Sequence, residues 1–160
     1  DYYQVLEVWY PFLRFKEAGI EGVFVGTGSK PEYKSKEGYP VLAQFPIQKV
    51  NVEDFDGVVI PGGYAPDILR RYPEVNNFVR GMFEKGKIVA AICHGGWVLA
   101  SAGVVRGKKV TAFYAIKDDL VNAGAEFTEA EVVVDGNLIT SRNPFDLAAF
   151  CREIIRKESA

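Results

Sequence analysis

The chain has 160 residues, of which 48% are hydrophobic and 25% are charged, and its formal net charge is −2. These values are typical of one soluble domain with a sizeable core, so we expect residues 1–160 to form a single domain. Nucleic acid and anionic membranes are poor candidate partners, because no long basic run is present. No apolar run reaches the ~18 residues of a membrane span, and no signal or transit peptide is visible.

Two cysteines and one histidine limit the possible chemistry. Cys93 and Cys151 are far apart and lack the spacing of metal ligands, so we expect a reducing, cytoplasmic protein without a disulfide. Any imidazole chemistry from this chain must use His94. A zinc site built on several histidines and cysteines is excluded by count, and the sequence implies no metal or organic cofactor.

The first half of the chain alternates between helix, strand and loop patterns. Residues 1–18 are predicted to be mostly helical, with Leu6, Tyr10 and Leu13 as the apolar stripe, Phe12 as a further candidate for it, and Pro11 as a kink or second start. The later segments are a strand over 21–28, a loop over 29–41, a small extended element over 39–45 and a buried strand over 57–60.

The second half continues this alternation. The predicted elements are an amphipathic helix over 74–85, a strand within 101–113, a short helix within 117–127, a hairpin over 131–142 and a last helix over 143–157. Asn143 is expected to cap the last helix, and Cys151 falls on its apolar face, which favours a core position. Strands that alternate with helices indicate a doubly wound, mostly parallel sheet with helices on both faces.

Residues 88–101, IVAAICHGGWVLAS, place Cys93 between a buried strand and a helix. This is the geometry of a nucleophile elbow, with cysteine as the nucleophile. The N–H groups and partial positive charge of the helix start are expected to favour the thiolate. The alternative is a buried cysteine that only fills space.

A second glycine-rich turn, Pro61-Gly62-Gly63, follows the strand over 57–60. Ligands bind outside the carboxyl ends of strands in open α/β sheets, so Gly62 and Gly63 could offer N–H groups to an oxyanion. Asp67 precedes a predicted helical turn over 68–71, and its ordinary role would be to cap that turn. The ordinary role of Glu7 would be that of a solvated helix residue.

Several stretches together resemble the PfpI-type intracellular proteases, within the superfamily with the class I glutamine-amidotransferase-like, flavodoxin-like fold. They are LEVWYPFLRFKEAG, PGGYAPDILR, VAAICHG, SAGVVRGKKVTAF, IKDDLVNAGAEF and EVVVDGNLITSRNPFDL. The superfamily also holds the parkinsonism-associated protein deglycase and the glyoxalase III enzymes. The resemblance extends over nearly the whole chain.

The resemblance implies a role for each candidate residue. It implies that Cys93 is the nucleophile, His94 the adjacent catalytic histidine, and Glu7 the acid that hydrogen bonds the sulfur. Gly63 and the His94 N–H would form the oxyanion hole. Asp67 stands where relatives carry a glutamate that reaches the histidine of a neighbouring subunit, which implies a homo-oligomer, a dimer or hexamer, with the site near an interface.

Physical arguments support part of this assignment. Adjacent side chains on a tight turn point apart, so His94 is not expected to reach its own Cys93 well. A buried Glu7 would be biased toward its neutral form and could donate a proton to the thiolate. The sequence also departs from the family: the first, central strand is expected to be missing, and Asp67 is one methylene shorter than glutamate.

Three functions follow as hypotheses. The first is a cysteine-dependent hydrolase or lyase that acts on a carbonyl, either of a peptide or of a small dicarbonyl or its adduct on protein. The second is a redox or stress sensor that works through oxidation of Cys93. The third, a glutamine amidotransferase domain, is disfavoured because no histidine follows His94.

Overall fold

The computed structural model describes residues 1–160, which form six α-helices and ten short strands. The helices are α1 (Val5–Glu17), α2 (Ala65–Leu69), α3 (Pro73–Glu84), α4 (Gly96–Ala102), α5 (Lys117–Asn122) and α6 (Leu147–Glu158). The strands are β1 (Val25–Gly26), β2 (Glu32–Lys34), β3 (Pro40–Leu42), β4 (Phe45–Pro46), β5 (Gly57–Ile60), β6 (Ile88–Ile92), β7 (Lys109–Val110), β8 (Glu126–Phe127), β9 (Val133–Asp135) and β10 (Leu138–Ser141). No helix is long and apolar enough to cross a membrane.

The central sheet has four strands in the order β5-β6-β10-β9. The first three are parallel, and β9 pairs antiparallel with β10 through a tight turn at Gly136, where φ is +61°. A two-residue turn of this kind requires positive φ, which glycine adopts without strain. The predicted hairpin and the mostly parallel sheet are therefore confirmed.

Strand β6 runs through the centre of the sheet, and all five of its residues are buried. Ile88, Ala90 and Ile92 pack in a cluster with residues of α6 and with Phe15 of α1. Val89 and Ala91 pack on the other face, in a cluster with residues of α3 and α4. Since successive side chains of a strand point to opposite faces, helices cover both faces of the sheet, as predicted.

A cleft of about 810 Å³ separates β1 and β4 from the central sheet. Its lining is mainly apolar and includes residues 22–27 on one side and 57–61 on the other. Strands β1 and β4 pair only with each other, and β5 pairs only with β6. The sheet is thus interrupted where the resemblance led us to expect a missing central strand.

The apolar stripe that was predicted for the first helix is wrong. Leu6, Tyr10 and Leu13 are exposed, whereas α1 buries Glu7, Pro11 and Phe15. These buried positions are also four residues apart, so helical periodicity alone admits both faces. The prediction placed the more apolar face of α1 in the core, and this was wrong because the face that packs on the core carries a carboxyl group.

Other predictions differ from the structure at element ends. The predicted strand over 21–28 is reduced to β1, because only two of its residues find a partner strand. The predicted loop over 29–41 contains β2, which pairs antiparallel with β3. Asn143 does act as a cap, but it caps a 3₁₀ turn that leads into α6. Cys151 is fully buried in the core, as predicted.

Candidate active site

The elbow at Cys93 forms where β6 ends and a 3₁₀ turn, Cys93–Gly95, leads into α4. Cys93 has φ of +60°, a strained conformation for any residue other than glycine. A Cβ atom on Gly95 would lie 2.7 Å from the carbonyl oxygen of Ile60, so this turn packs against β5 without room for a side chain. The strand–turn–helix geometry that the sequence predicted is therefore present, and α4 begins at Gly96.

Two main-chain N–H groups converge on the thiol of this elbow. The main-chain N–H groups of His94 and Gly63 lie near the Cys93 sulfur and lower the pKa of its thiol. Gly63 has φ of +73°, and a Cβ atom there would lie 2.5 Å from the nitrogen of Gln4, so only glycine fits. The two donors proposed for the oxyanion hole thus lie beside the sulfur.

Glu7 is the third component, and it is only 1% exposed. Its Oε1 accepts a hydrogen bond of 3.0 Å from the N–H of Gly62, whereas its Oε2 is buried without a hydrogen-bond partner. The hydrogen bond from Glu7 to the Cys93 sulfur that the resemblance implied is therefore not formed in this structure. Burial raises the pKa of Glu7 to about 7, because the hydrogen bond from Gly62 offsets only part of the lost hydration. A carboxyl group with this pKa can hold or release a proton near neutral pH.

Gly62 lies between the carboxyl group and the thiol. A Cβ atom built on it would lie 2.6 Å from Oε1 of Glu7 and 3.1 Å from Sγ of Cys93, so both groups pack against the same glycine. Burial, and then the charge of Glu7, raises the pKa of Cys93 to about 11. This corrects the expectation of a stabilised thiolate: burial and the nearby carboxylate outweigh the two N–H donors, so the resting form at neutral pH is the thiol.

The His94 ring also lies closer to the sulfur than we expected. Its Nδ1 is 3.3 Å from Sγ of Cys93, although adjacent side chains on a turn usually diverge. The ring stacks on Phe113, with centroids 4.9 Å apart, and meets Trp97 edge-on at 5.1 Å. Burial, followed by the charge of Lys36, lowers the pKa of His94, which favours a neutral imidazole at neutral pH.

Phe113 was not identified from the sequence. It lies far from the elbow along the chain, at the end of the stretch SAGVVRGKKVTAF, and only the fold brings it to His94. Lys36 was missed for the same reason, although its charge lowers the pKa of Glu7, Cys93 and His94.

Asp67 lies apart from this cluster. It belongs to the first turn of α2 and forms an ion pair with Arg71, four residues further along. The residue at the cap position of α2 is Tyr64, so the predicted capping role of Asp67 is wrong. Asp67 forms no hydrogen bond or ion pair with His94 of the same chain.

No group of three or more His, Cys, Asp and Glu side chains is placed to hold a metal ion. What the structure assembles is a thiol on a strand–helix elbow, two N–H donors, a buried acid and a neutral imidazole. On an α/β fold with a mostly parallel sheet, these groups define the class of proteins with a cysteine at a nucleophile elbow.

Comparison with known proteins places the chain within this class. The model of the DJ-1/PfpI family matches residues 1–157, and the chain belongs to this family. It is 46% identical to "Deglycase PH1704" of Pyrococcus horikoshii over 96% of this chain and 92% of that protein. It is 40% identical to "Putative cysteine protease YraA" of Bacillus subtilis over 96% of this chain and 90% of that protein.

A solved structure agrees in fold. A two-domain protein of Anabaena variabilis, with DJ-1/ThiJ/PfpI-like and ferritin-like domains, superimposes with a TM-score of 0.96 at 43% identity. The match covers 98% of this chain and 47% of that protein, so the chain spans about half of its length.

Proposed function

We propose that this protein is a cysteine-dependent enzyme that acts on carbonyl compounds, as a deglycase or glyoxalase III-type enzyme or as a peptidase. The observation that carries the proposal is the buried Glu7 carboxyl, which packs with the Cys93 thiol against Gly62 and keeps one oxygen without a partner. A buried acceptor without a partner costs ~1–3 kcal/mol, and such groups call for an explanation. Proton transfer with the thiol provides one.

In the proposed first step, the Cys93 sulfur forms a bond to the carbonyl carbon and the π electron pair moves to the oxygen. The thiol proton passes to the carboxylate of Glu7, whose pKa of about 7 permits it to accept. The N–H groups of Gly63 and His94, which lie near the sulfur, would stabilise the oxyanion. The neutral imidazole of His94 is placed to move a proton in the later steps.

The second candidate, a redox or stress sensor, is less well supported. Susceptibility to oxidation follows thiolate character and exposure. Burial and Glu7 raise the pKa of Cys93 to about 11, and the residue is only 8% exposed. Both values favour a thiol that gives up its proton when a substrate binds.

The test compares the wild-type protein with Cys93→Ala, Glu7→Gln and the control Cys151→Ser. Methylglyoxal consumption and cleavage of a fluorogenic peptide are measured in parallel. We expect dicarbonyl turnover that both site variants lose and that the control retains. Peptide cleavage without dicarbonyl turnover would assign a peptidase. If neither the wild type nor Cys93→Ala acts on either substrate, the enzyme hypothesis is rejected and the redox-sensor hypothesis remains. Mass spectrometry of oxidised Cys93 then tests that hypothesis.

We further propose that the protein forms a homo-oligomer, a dimer or hexamer, in a reducing, cytoplasmic setting. The exposed stripe of Leu6, Tyr10 and Leu13 supports self-association, because it lies on the helix that carries Glu7. Asp67 could then reach His94 of a neighbouring copy if it left its ion pair with Arg71. Sedimentation of Leu13→Glu tests this: a monomer in the variant supports the interface, and a monomer in the wild type rejects the oligomer.

A further inference from the structure

An aromatic surface leads outward from His94. The His94 ring stacks on Phe113 with an interplanar angle of 28°, and Phe113 in turn packs on Tyr114 with centroids 4.6 Å apart. Tyr114 is 73% exposed, so a large aromatic ring lies open to solvent two contacts away from the catalytic imidazole. We call Phe113 and Tyr114 the aromatic wall.

The aromatic wall is held rigidly beside the nucleophile. The N–H of Phe113 donates a hydrogen bond of 3.3 Å to the carbonyl oxygen of Cys93. Tyr114 begins a 3₁₀ turn, Tyr114–Ile116, and Ile116 is buried and donates its N–H to the carbonyl oxygen of Phe113. The backbone of the wall is thus tied to the nucleophile at one end and to the core at the other.

A second aromatic residue, Trp97, also contacts the imidazole. It packs edge-on against His94, its Nε1 donates a hydrogen bond of 2.7 Å to Asp119, and the guanidinium of Arg70 lies over its ring. The Trp97 indole therefore already has several partners within the chain, whereas most of the Tyr114 ring is open to solvent.

We propose that the aromatic wall selects substrates whose reacting carbonyl bears a planar aromatic substituent, such as an aryl-substituted dicarbonyl. This inference rests on the proposed function, since it assigns the substrate preference of the same site. Aromatic rings that stack or meet edge-on gain ~0.5–1.5 kcal/mol beyond the burial of their area. A methyl group in the same place gains only burial.

The first experiment measures kcat/KM for phenylglyoxal and for methylglyoxal, and compares the ratio of the two between variants. We expect Tyr114→Ser to lower the ratio by about 2- to 10-fold, and Tyr114→Phe, which keeps the ring, to leave it unchanged. Taking the ratio within each variant removes any general loss of activity. An unchanged ratio in Tyr114→Ser, or an equal fall in Tyr114→Phe, would overturn the proposal.

The second experiment does not depend on turnover. Cys93 is alkylated with N-benzyl iodoacetamide and with iodoacetamide in a Cys151→Ser background, and the two rates are followed by intact mass. Loss of the benzyl preference in Tyr114→Ser supports the wall even if no substrate is turned over, in which case only the proposed function fails. If the protein turns over dicarbonyls but Tyr114→Ser changes neither the kcat/KM ratio nor the alkylation ratio, the role of the aromatic wall is rejected and the proposed function is retained. If Tyr114→Ser changes the oligomeric state but leaves both ratios unchanged, Tyr114 contacts a second copy of the chain, and the proposal of substrate selection is rejected.

Discussion

The two cysteines of this chain share burial but differ in their polar surroundings. Cys93 is 8% exposed and Cys151 is 0% exposed, and burial is the main cause that raises the pKa of each, to about 11 and about 12. Cys93, however, receives two main-chain N–H groups and has an acid and an imidazole beside it. The charge of Arg14 is the opposing influence at Cys151. Burial alone therefore does not separate a nucleophile from a core residue, whereas the polar groups around the sulfur do.

The largest expected effect is on thiol alkylation under native conditions. We expect iodoacetamide to modify Cys93, and to modify Cys151 more slowly by about 10³-fold or more, because Cys151 becomes accessible only when the fold opens. Intact mass of Cys93→Ser and Cys151→Ser gives the two rates separately. Similar alkylation rates at Cys93 and Cys151 would show that the core around α6 opens readily. The contrast between the two cysteines would then not hold.

The next effect concerns stability and the charge of Glu7. Its pKa is raised from 4.5 to about 7, so the folded state binds the proton more tightly than the unfolded chain does. The free energy of unfolding should therefore fall as the pH rises from about 4.5 to about 7, by about 3 kcal/mol from this group. Glu7→Gln, which keeps the shape, should remove that part of the decrease. Urea unfolding of the wild type and of Glu7→Gln at pH 5 and pH 8 measures this decrease. An equal decrease in the free energy of unfolding in both proteins would contradict a buried, protonated Glu7.

A smaller effect is expected from Gly63→Ala, which disturbs one of the two N–H donors that distinguish Cys93. The new methyl group would meet main-chain atoms of Tyr2 and Gln4 at 2.5–2.6 Å, in addition to the strain of positive φ. We expect a loss of about 1–3 kcal/mol in the free energy of unfolding and a higher pKa of Cys93. Gly136→Ala is the matched control, since Gly136 also has positive φ but no neighbour within 4 Å. Equal losses in the two variants would mean that the close contact at Gly63 has no effect of its own.

The smallest effect is expected from Lys36→Met. The charge of Lys36 lowers the pKa of Cys93, so its removal should shift the pH dependence of Cys93 alkylation to higher pH by a fraction of a unit, because the side chain is half exposed and screened. Alkylation rates at low and high salt check this, with Lys34→Met, at the end of β2, as the control. A shift of the same size in Lys34→Met would indicate a general effect of net charge.

How far the sequence predicted the site depends on how local each feature is. The elbow at Cys93 follows from a buried strand, a turn and a helix that are contiguous, and the family resemblance supplied Glu7. The position of the His94 ring was not predictable, because it depends on Phe113, which comes from another segment, and on how the ring packs against Trp97. The raised pKa of Cys93 was missed because the local helix start was considered without the burial that the whole fold imposes.

The fold shows the same limit. Periodicity and turn residues predicted β6, the β9–β10 hairpin and α3 closely, since each depends on its own pattern. Strands β1 and β2 were misjudged, because a strand of two or three residues exists only through its partner. The exposed side of α1 was misjudged because a carboxyl group, that of Glu7, occupies the buried side.

The hydrogen bond between Gly62 and Glu7 joins residues that are 55 positions apart, which has a consequence for folding kinetics. Contacts of such long sequence separation require closure of a large loop and form slowly compared with local helices and hairpins. The site is therefore assembled only when α1 docks beside the elbow. During refolding, the secondary structure should reach its native signal before Glu7 and Cys93 come together, so the assembled site marks the completion of the tertiary structure.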